Sequence, residues 1–239
     1  MKPLNAGRLI LLPTPLVDEG GGNTLPEVTL AALGALRHFV VENAKTARRT
    51  LKTCGYPGPL QSVAMAVLDE HTRESDLPAL LEPLRQGQDV GLMSEAGCPA
   101  VADPGARLVR LAHAEGIRVV PMPGPSALLL ALMASGLEGQ RFAFQGYLPV
   151  DAVARRNRIQ QLEQRSRRER ETQILIETPY RNEALWTALL ETLQPGTLLC
   201  AAFDLTAPAE TVRTAPVATW RNAPAPAFAR RPSVFLFLA

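Results

Sequence analysis

Carboxylates stand directly after several short apolar segments of the chain, and they are the residues whose type could do chemistry. The five positions are Glu42, Asp69, Glu70, Glu177 and Asp204. A carboxylate beside a reacting hydroxyl can accept its proton as a general base. Spacing alone does not rank the five, because a solvated carboxylate at a strand end is the ordinary alternative. The catalytic residue is therefore left unassigned.

Other familiar patterns of catalytic and ligand-binding residues are absent from the sequence. It contains no GxGxxG or GxxxxGK[ST] phosphate-binding loop, no GxSxG nucleophile motif and no CxxC pair. The three cysteines, Cys54, Cys98 and Cys200, are far apart, and the three histidines lack ligand spacing. We therefore expect no disulfide framework and no metal site, and we expect a cytoplasmic protein.

The elements that must position these residues are apolar segments of strand length alternating with segments of helix length. In the first half, strands are predicted at 8–12, 39–42, 62–68, 89–94 and 117–122, and helices at 26–37, 44–53 and 105–115. A helix at 76–85 is predicted to be irregular, because it contains Pro78 and Pro83. In the second half, strands are predicted at 141–145, 173–177, 198–204 and 233–238, and helices at 127–134, 152–167 and 182–193. This alternation predicts parallel strand pairing with right-handed crossovers.

The chain is therefore predicted to be an α/β protein of two domains. The segment PMPGP at 121–125 suits a junction because its residues are stiff or turn-forming. It divides the chain into an N-terminal domain, 1–122, with a mostly parallel sheet and flanking helices, and a C-terminal domain, 123–239, with a mixed sheet. Ligands of open parallel sheets bind outside the carboxyl ends of the strands, where the polar residues stand.

Net charge and hydropathy bear on whether the chain binds nucleic acid or a membrane. The chain has 239 residues, with 25 Lys and Arg against 23 Asp and Glu, a net charge of +2 that does not by itself indicate a nucleic-acid or membrane binder. The longest uncharged run, 119–137, is interrupted by prolines, so we expect no membrane-spanning segment. Seven arginines and two glutamates between 155 and 170 form either a phosphate-facing surface or a solvated arginine-rich helix.

The most specific segment is SEAGCPAVADPG at 94–105, followed by the helix ARLVRLAHAEG and by VVPMPGPSA. It resembles the tetrapyrrole-methylase superfamily of S-adenosylmethionine-dependent methyltransferases. Within that superfamily it looks closest to the branch of the ribosomal RNA small-subunit methyltransferase I family, which methylates a ribose 2′-hydroxyl of 16S rRNA. The segments LLPTPL, LDEHTRE, FAFQGYLP, IETPYR and FDLT extend the resemblance over most of the chain.

The resemblance implies a cofactor, S-adenosylmethionine, folded into a cleft between two α/β domains, usually in a homodimer, with RNA or the small ribosomal subunit as partner. The implied cofactor contacts are Pro13, Ser94, Glu95, Ala96, Val101, Ala102, Asp103, Gly124, Ser126, Ala127, Gln145, Gly146, Tyr147 and Glu177. The implied substrate contacts are Thr14, Arg48, Arg49, Glu70, Tyr180 and Arg181. The resemblance implies no metal.

The substrate segments depart from the family pattern. The first loop is lengthened and Gly-rich at 18–23, and the segments at 42–49, 177–181 and 203–211 differ from their usual form. Two alternatives to RNA methylation therefore stay open: methylation of a small molecule such as a tetrapyrrole, and binding of the cofactor without turnover. Binding of RNA should weaken steeply with salt, and binding of a small acid much less.

Overall fold

The computed structural model describes residues 6–17, 24–228 and 231–239, so the lengthened loop at 18–23 lies outside the described residues. The chain divides into two units, Met1–Ser126 and Ala127–Ala239. Each unit is built on its own five-stranded sheet with helices. The predicted α/β class is confirmed.

The N-terminal unit contains a parallel sheet, called sheet 1. Its strands are β1 Arg8–Leu11, β2 His38–Val41, β3 Ala64–Val67, β4 Val90–Met93 and β5 Arg118–Pro121. The strand order is β3-β2-β4-β1-β5, and every pair in it is parallel. The five predicted strands of this half are confirmed, and their carboxyl ends lie along one edge of the sheet.

Helices connect the strands of sheet 1. They are α1 Glu27–Ala35, α2 Ala44–Thr53, α3 Leu77–Leu80, α4 Glu82–Arg85 and α5 Ala106–Ala114. Pro78 and Pro83 each stand in the first turn of a helix, where a missing N–H costs least. The irregular helix predicted over 76–85 is therefore two short helices.

Apolar side chains cover both faces of sheet 1. Leu9 and Val40 enter one buried cluster, and their chain neighbours Ile10 and Phe39 enter the other. Successive side chains of a strand point to opposite faces, so a strand buried on both faces must be apolar at every position. This explains why the strands of this half read as continuous apolar runs.

Asp89 joins the starts of β1 and β4. Its Oδ1 accepts a hydrogen bond of 2.6 Å from the Arg8 backbone N–H, and its Oδ2 accepts one of 2.5 Å from Arg8 Nη2. The hydrogen bond from the Arg8 guanidinium lowers the pKa of Asp89 below its ordinary 3.8. Asp89 therefore stabilises the fold only in its ionised form.

Replacing this carboxylate, Asp89→Asn, is expected to lower the free energy of unfolding by about 1 kcal/mol at pH 7, since the ion pair is partly exposed. The folded-state pKa lies below the unfolded one, so the contribution is complete above about pH 4 and is lost as pH falls through the folded-state pKa. Urea unfolding of both proteins at pH 7 and pH 3 measures this. An equal difference at both pH values would contradict the ion-pair explanation.

The C-terminal unit contains a mixed sheet, called sheet 2. Its strands are β6 Phe142–Phe144, β7 Thr172–Glu177, β8 Leu198–Phe203, β9 Thr211–Pro216 and β10 Ser233–Leu238. The order is β6-β7-β10-β8-β9, in which only β6 and β7 are parallel. The mixed sheet predicted for this half is confirmed.

Strand β9 was not predicted from the sequence. It pairs only with β8, at the edge of sheet 2, and most of its side chains are exposed or half-buried. An edge strand covered on one face can carry polar residues such as Thr211 and Arg213 and still pair. The predicted strands 141–145, 173–177, 198–204 and 233–238 are confirmed to within two residues at each end.

The helices of the C-terminal unit are α6 Ala127–Ser135, α7 Ala152–Glu169, α8 Asn182–Thr192 and α9 Val217–Arg221. Both tryptophans are in the core: Trp186 of α8 and Trp220 of α9 pack edge to face with ring centroids 4.9 Å apart. Trp220 Nε1 donates to the Leu199 carbonyl at 2.8 Å, which satisfies its polar atom. Within the described ranges, none of the helices has the length and apolar character needed to cross a membrane.

Candidate functional site

The loops after the five strands of sheet 1 lie along one edge, here called the carboxyl edge. Val41 at the end of β2 is paired with Met93 at the end of β4, so the next residues, Glu42 and Ser94, are neighbours. This is the edge at which open parallel sheets bind ligands. Its loops contain the predicted site residues Pro13, Thr14, Glu70, Ser94, Glu95, Ala96, Val101, Ala102, Asp103 and Gly124.

Thr14 joins two of these loops. Its backbone N–H donates to the Gly97 carbonyl at 2.9 Å, and the Gly97 N–H donates to the Thr14 carbonyl at 3.1 Å. The Thr14 side chain is completely buried, and its hydroxyl lies 3.4 Å from the Ser94 carbonyl. Thr14 therefore holds the loop after β1 against the loop after β4, and its predicted contact with substrate stays a prediction.

Gly124 lies against Pro13. A Cβ atom placed on Gly124 would stand 2.3 Å from Pro13 Cβ and 2.8 Å from its Cγ, far inside van der Waals contact. The preceding Pro123 is fixed from another side, since its carbonyl accepts a hydrogen bond of 2.6 Å from Thr29 Oγ1. The loops after β1 and β5 can approach this closely only because residue 124 has no side chain.

The loop after β4 has an unusual backbone. Ala100 and Ala102 have φ values of 65° and 63°, in the left-handed region that residues other than glycine rarely adopt. Backbone strain of this kind persists where surrounding contacts enforce it and is often found at functional sites. Between them, Val101 leaves 47% of its surface exposed, so the loop presents an apolar side chain to solvent.

Ser94 and Asp103 lie at the two ends of this loop. The Ser94 Oγ atom is buried and has no hydrogen-bond partner among the described residues. Burial raises the pKa of Asp103, and the nearby Ser94 hydroxyl opposes that shift in part. A buried hydroxyl without a partner is unfavourable unless a ligand supplies one.

Glu42 is half-buried at the end of β2. Burial raises its pKa above the ordinary 4.5, and the negative charges of Asp103, Glu95, Glu70 and Asp69 raise it further, in that order. Within the described part of the chain, Glu42 has no hydrogen bond and no ion pair. The carboxyl edge thus concentrates negative charge around Glu42, and no cation among the described residues balances it.

Three other carboxylates of this edge each have a polar side chain close by. Asp69 accepts from Thr72 Oγ1 at 2.8 Å, and this hydrogen bond lowers the pKa of Asp69. Glu95 Oε1 accepts from Thr46 Oγ1 at 2.9 Å, and Glu70 lies 3.6 Å from His71 Nε2. No group of three or more acidic, histidine or cysteine side chains in the described ranges is arranged to hold a metal ion.

Of four more predicted residues, three lie on helices and Ser126 ends the loop after β5. Arg48 and Arg49 are exposed on α2, whose first turn is capped by Asn43. Ser126 ends the N-terminal unit and Ala127 begins α6, and both are half-buried. Their predicted contacts stay predictions.

In the C-terminal unit, Glu177 and Arg181 form an ion pair. Glu177 Oε2 lies 2.8 Å from Arg181 Nη2, and the Glu177 side chain is 1% exposed. Glu177 Oε1 accepts from the Thr178 N–H at 2.8 Å, and Arg181 donates to the Leu148 carbonyl at 3.2 Å. The sequence predicted Glu177 for the cofactor and Arg181 for the substrate, but the structure binds their charged groups to each other.

Gln145 also has side-chain partners. Its Nε2 donates to Gln173 Oε1 at 2.8 Å, and its Oε1 accepts from Arg158 Nη2 at 3.0 Å. Gly146 follows with a φ of 67°, which suits glycine. Tyr147 and Tyr180 are 56% and 80% exposed, so these two predicted contacts have accessible rings.

Arg231 is a residue that the sequence interpretation did not single out. It forms an ion pair with Asp204 and lies over the Phe203 ring, 4.9 Å from its centroid. It also donates to the Ala209 carbonyl at 2.8 Å. Asp204 is therefore a structural partner of Arg231, and the only sequence signal for this was the basic residue just before the last strand.

Helix α7 carries an exposed basic surface. Arg156 and Arg167 are exposed, stand three helical turns apart on one face and contact no carboxylate among the described residues. Arg165 and Arg168 pair with Glu171 and Glu169. The buried face of the helix includes Ile159 and Leu162. The basic surface of α7 is defined here as Arg156 and Arg167.

Comparison with known proteins identifies relatives of this chain. The model of the family described as Tetrapyrrole (Corrin/Porphyrin) Methylases matches residues 27–220. The chain is 38% identical over 178 residues to "Ribosomal RNA small subunit methyltransferase I" of Pseudomonas aeruginosa, covering 74% of this chain and 59% of that protein. It is 34% identical over 206 residues to the protein of the same name from Escherichia coli O157:H7, covering 86% and 68%. The chain thus spans about three fifths to two thirds of the length of these relatives.

Among solved structures, the chain is similar to one titled "Crystal structure of the methyltransferase CobJ". The TM-score is 0.64 at 20% identity, covering 98% of this chain and 94% of the other. A uroporphyrin-III-C-methyltransferase from Thermus thermophilus gives a TM-score of 0.55 at 20% identity, covering 97% and 94%. At this identity the similarity concerns the fold alone, and it agrees with the family match.

Proposed function

The chain belongs to the tetrapyrrole (corrin/porphyrin) methylase family, and from this premise we propose that it is an S-adenosylmethionine-dependent methyltransferase acting on RNA of the small ribosomal subunit. The proposed acceptor is a ribose 2′-hydroxyl. The observation that carries the proposal is the 34% identity, over 86% of this chain, with a relative named ribosomal RNA small subunit methyltransferase I.

The carboxyl edge fits this cofactor. When bound, S-adenosylmethionine supplies an activated methyl group on a positively charged sulfonium. Asp103 and Glu95 contribute negative charge that suits such a cation, and the buried Ser94 Oγ is available for a polar contact. The exposed Val101 offers an apolar surface of the kind that lines most ligand pockets.

We assign the cofactor contacts in two groups. In the N-terminal unit and at its end they are Pro13, Ser94, Glu95, Ala96, Val101, Ala102, Asp103, Gly124, Ser126 and Ala127. In the C-terminal unit they are Gln145, Gly146, Tyr147 and Glu177. Because the Gln145 and Glu177 side chains are already hydrogen-bonded, we propose that these two position the loops that follow β6 and β7.

The residues of the chain contribute to catalysis mainly by alignment. Holding an acceptor and a donor in the reactive geometry can contribute about 7–11 kcal/mol at the favourable limit. The loops after β1, β4 and β5 are fixed by short contacts, including the Thr14–Gly97 pairing and the Gly124–Pro13 approach. Such rigid loops are suited to orientation.

We propose that RNA is held through its phosphates. Phosphate contacts position a nucleic acid without reading its sequence, and exposed arginines are suited to them. The basic surface of α7 offers two such side chains, and Arg48 and Arg49 of α2 are also exposed. The proposed substrate residues are Thr14, Arg48, Arg49, Glu70, Tyr180 and Arg181.

The test is transfer of a labelled methyl group from S-adenosylmethionine to small ribosomal subunits that lack their native methylations. We expect label in ribosomal RNA that survives alkaline hydrolysis as a resistant dinucleotide, because a methylated 2′-oxygen cannot attack the neighbouring phosphate. Transfer RNA and a porphyrinogen are offered in parallel. Label only in the porphyrinogen would show that the substrate is a tetrapyrrole and not RNA. Cofactor binding without label in any acceptor would indicate a family member that binds the cofactor and does not catalyse methyl transfer.

A matched pair of variants tests the RNA surface in the same assay. The double substitution Arg156→Glu and Arg167→Glu is expected to weaken RNA binding and to flatten its dependence on salt, since fewer counterions are released. Arg110→Glu reverses an exposed charge on α5, outside the proposed contacts, and serves as the control. Equal RNA binding by both variants would contradict a role for this surface.

Two finer expectations belong to the proposal. A ribosomal substrate implies a cytoplasmic location, and the family resemblance implies a homodimer. Sedimentation equilibrium of the purified chain measures the second.

A further inference from the structure

We propose that Glu42 is the catalytic base, the group that accepts the proton of the acceptor hydroxyl during methyl transfer. This inference rests on the proposed function and fills the role that the sequence left unassigned. It is carried by the contacts that the strand-end carboxylates make and by the position of Glu42 beside Ser94.

Of the other four carboxylates considered from the sequence, three are held by partners and Glu70 is exposed to solvent. Glu177 is held by Arg181, and Asp204 by Arg231. Asp69 is hydrogen-bonded to Thr72, and Glu70 is exposed beside His71. Glu42 is the member of the five that makes no hydrogen bond or ion pair within the described ranges, so its oxygens are available to a substrate.

Glu42 is also placed on a rigid element. It follows β2, which lies inside sheet 1 between β3 and β4, and it is immediately followed by Asn43, the cap of α2. Its neighbour across the pairing of β2 with β4 is Ser94, whose buried hydroxyl lacks a partner. That unsatisfied hydroxyl is an independent sign that a ligand occupies this place.

The surroundings of Glu42 favour proton acceptance. The charged groups that act on it are Asp69 and Glu70 after β3 and Glu95 and Asp103 after β4, and all of them are acidic. Together with burial they raise its pKa above 4.5, in the direction that makes a carboxylate a better base. Asp103 is more buried than Glu42 and is therefore less accessible to a substrate.

The proposed step is balanced. The acceptor oxygen forms a bond to the methyl carbon as the bond from that carbon to the sulfonium sulfur breaks. The electron pair of the broken bond remains on sulfur, which becomes a neutral thioether. The proton of the acceptor hydroxyl passes to a carboxylate oxygen of Glu42 and then to water.

The test compares Glu42→Gln with Glu74→Gln, which changes an exposed carboxylate outside the proposed contacts. We expect Glu42→Gln to reduce kcat by about 10²- to 10⁴-fold with cofactor affinity changed less than threefold. The wild-type kcat should fall on the acidic side of the Glu42 pKa, and Glu42→Gln should lose this limb of the pH profile. Glu74→Gln should keep both rate and profile.

A second readout needs no turnover. An ionised Glu42 without a balancing cation disfavours the folded state, and its stabilising contribution is lost as pH rises through its raised pKa. Glu42→Gln is therefore expected to have the same melting temperature as wild type near pH 4 and a higher one at pH 8. Glu74→Gln should match wild type at both pH values. A lower melting temperature for Glu42→Gln at pH 8 would overturn the proposed environment of Glu42.

The outcomes separate the two proposals. If wild type methylates RNA and Glu42→Gln does so within threefold of it, Glu42 is not the base and the proposed function stands. Loss of the acidic limb in Asp103→Asn instead of Glu42→Gln would transfer the role to Asp103. If wild type transfers no methyl group to any acceptor, the proposed function fails and the assignment of Glu42 fails with it.

Discussion

Gly124→Ala is expected to reduce affinity for S-adenosylmethionine by about 100-fold or more, because the added methyl group cannot be accommodated. The new Cβ would stand 2.3 Å from Pro13 Cβ, and a proline ring has no flexible end that could move away. The loop after β1 or the loop after β5 must shift, and both carry proposed cofactor contacts. Isothermal titration of cofactor or of the product S-adenosylhomocysteine measures the effect.

The matched control is Gly139→Ala, since no atom lies within 4 Å of a Cβ placed there. This variant should bind the cofactor as wild type does. Circular dichroism distinguishes loss of the site from loss of the fold. Cofactor affinity within threefold of wild type in a folded Gly124→Ala protein would remove these two loops from the cofactor site.

Arg181→Met is expected to lower the free energy of unfolding by about 3 kcal/mol, because it leaves the Glu177 carboxylate buried without its cation. That carboxylate is 1% exposed, so water cannot replace the lost partner. The melting temperature should fall by roughly 10 °C. Calorimetry of the full chain measures the change.

The double variant Glu177→Gln with Arg181→Met is the control. It removes the unpaired charge, so it should recover much of the lost stability, and a positive coupling between the two sites should result. A role of Arg181 in substrate contact alone predicts something different. Arg181→Met would then keep its melting temperature and weaken only RNA binding.

The fold was largely predictable because most of its strands can be recognised from their own residues. Strands such as β4 are buried on both faces and read as apolar runs, and the cap Asn43 marks the start of α2. Strand β9 escaped prediction because an edge strand needs little apolar surface. The prolines at 78 and 83 divided one predicted helix into two.

The site was predictable in its location and less so in its pairings. The rule for open parallel sheets indicated the carboxyl edge, and the family motif indicated its residues. Which carboxylates are occupied depends on partners distant in the chain, such as Arg231 for Asp204. For this reason spacing gave five equivalent candidates, whereas the contacts distinguish Glu42 from the other four.

The edge-to-face pair of Trp186 and Trp220 has a consequence for following this protein in solution. The chain has two tryptophans, and both are buried in the C-terminal unit. Intrinsic indole fluorescence therefore reports that unit alone, and the N-terminal unit is silent at the emission wavelengths of tryptophan. A denaturation curve recorded by fluorescence would follow Arg181→Met directly. It would miss any loosening of the carboxyl edge that leaves the C-terminal unit folded.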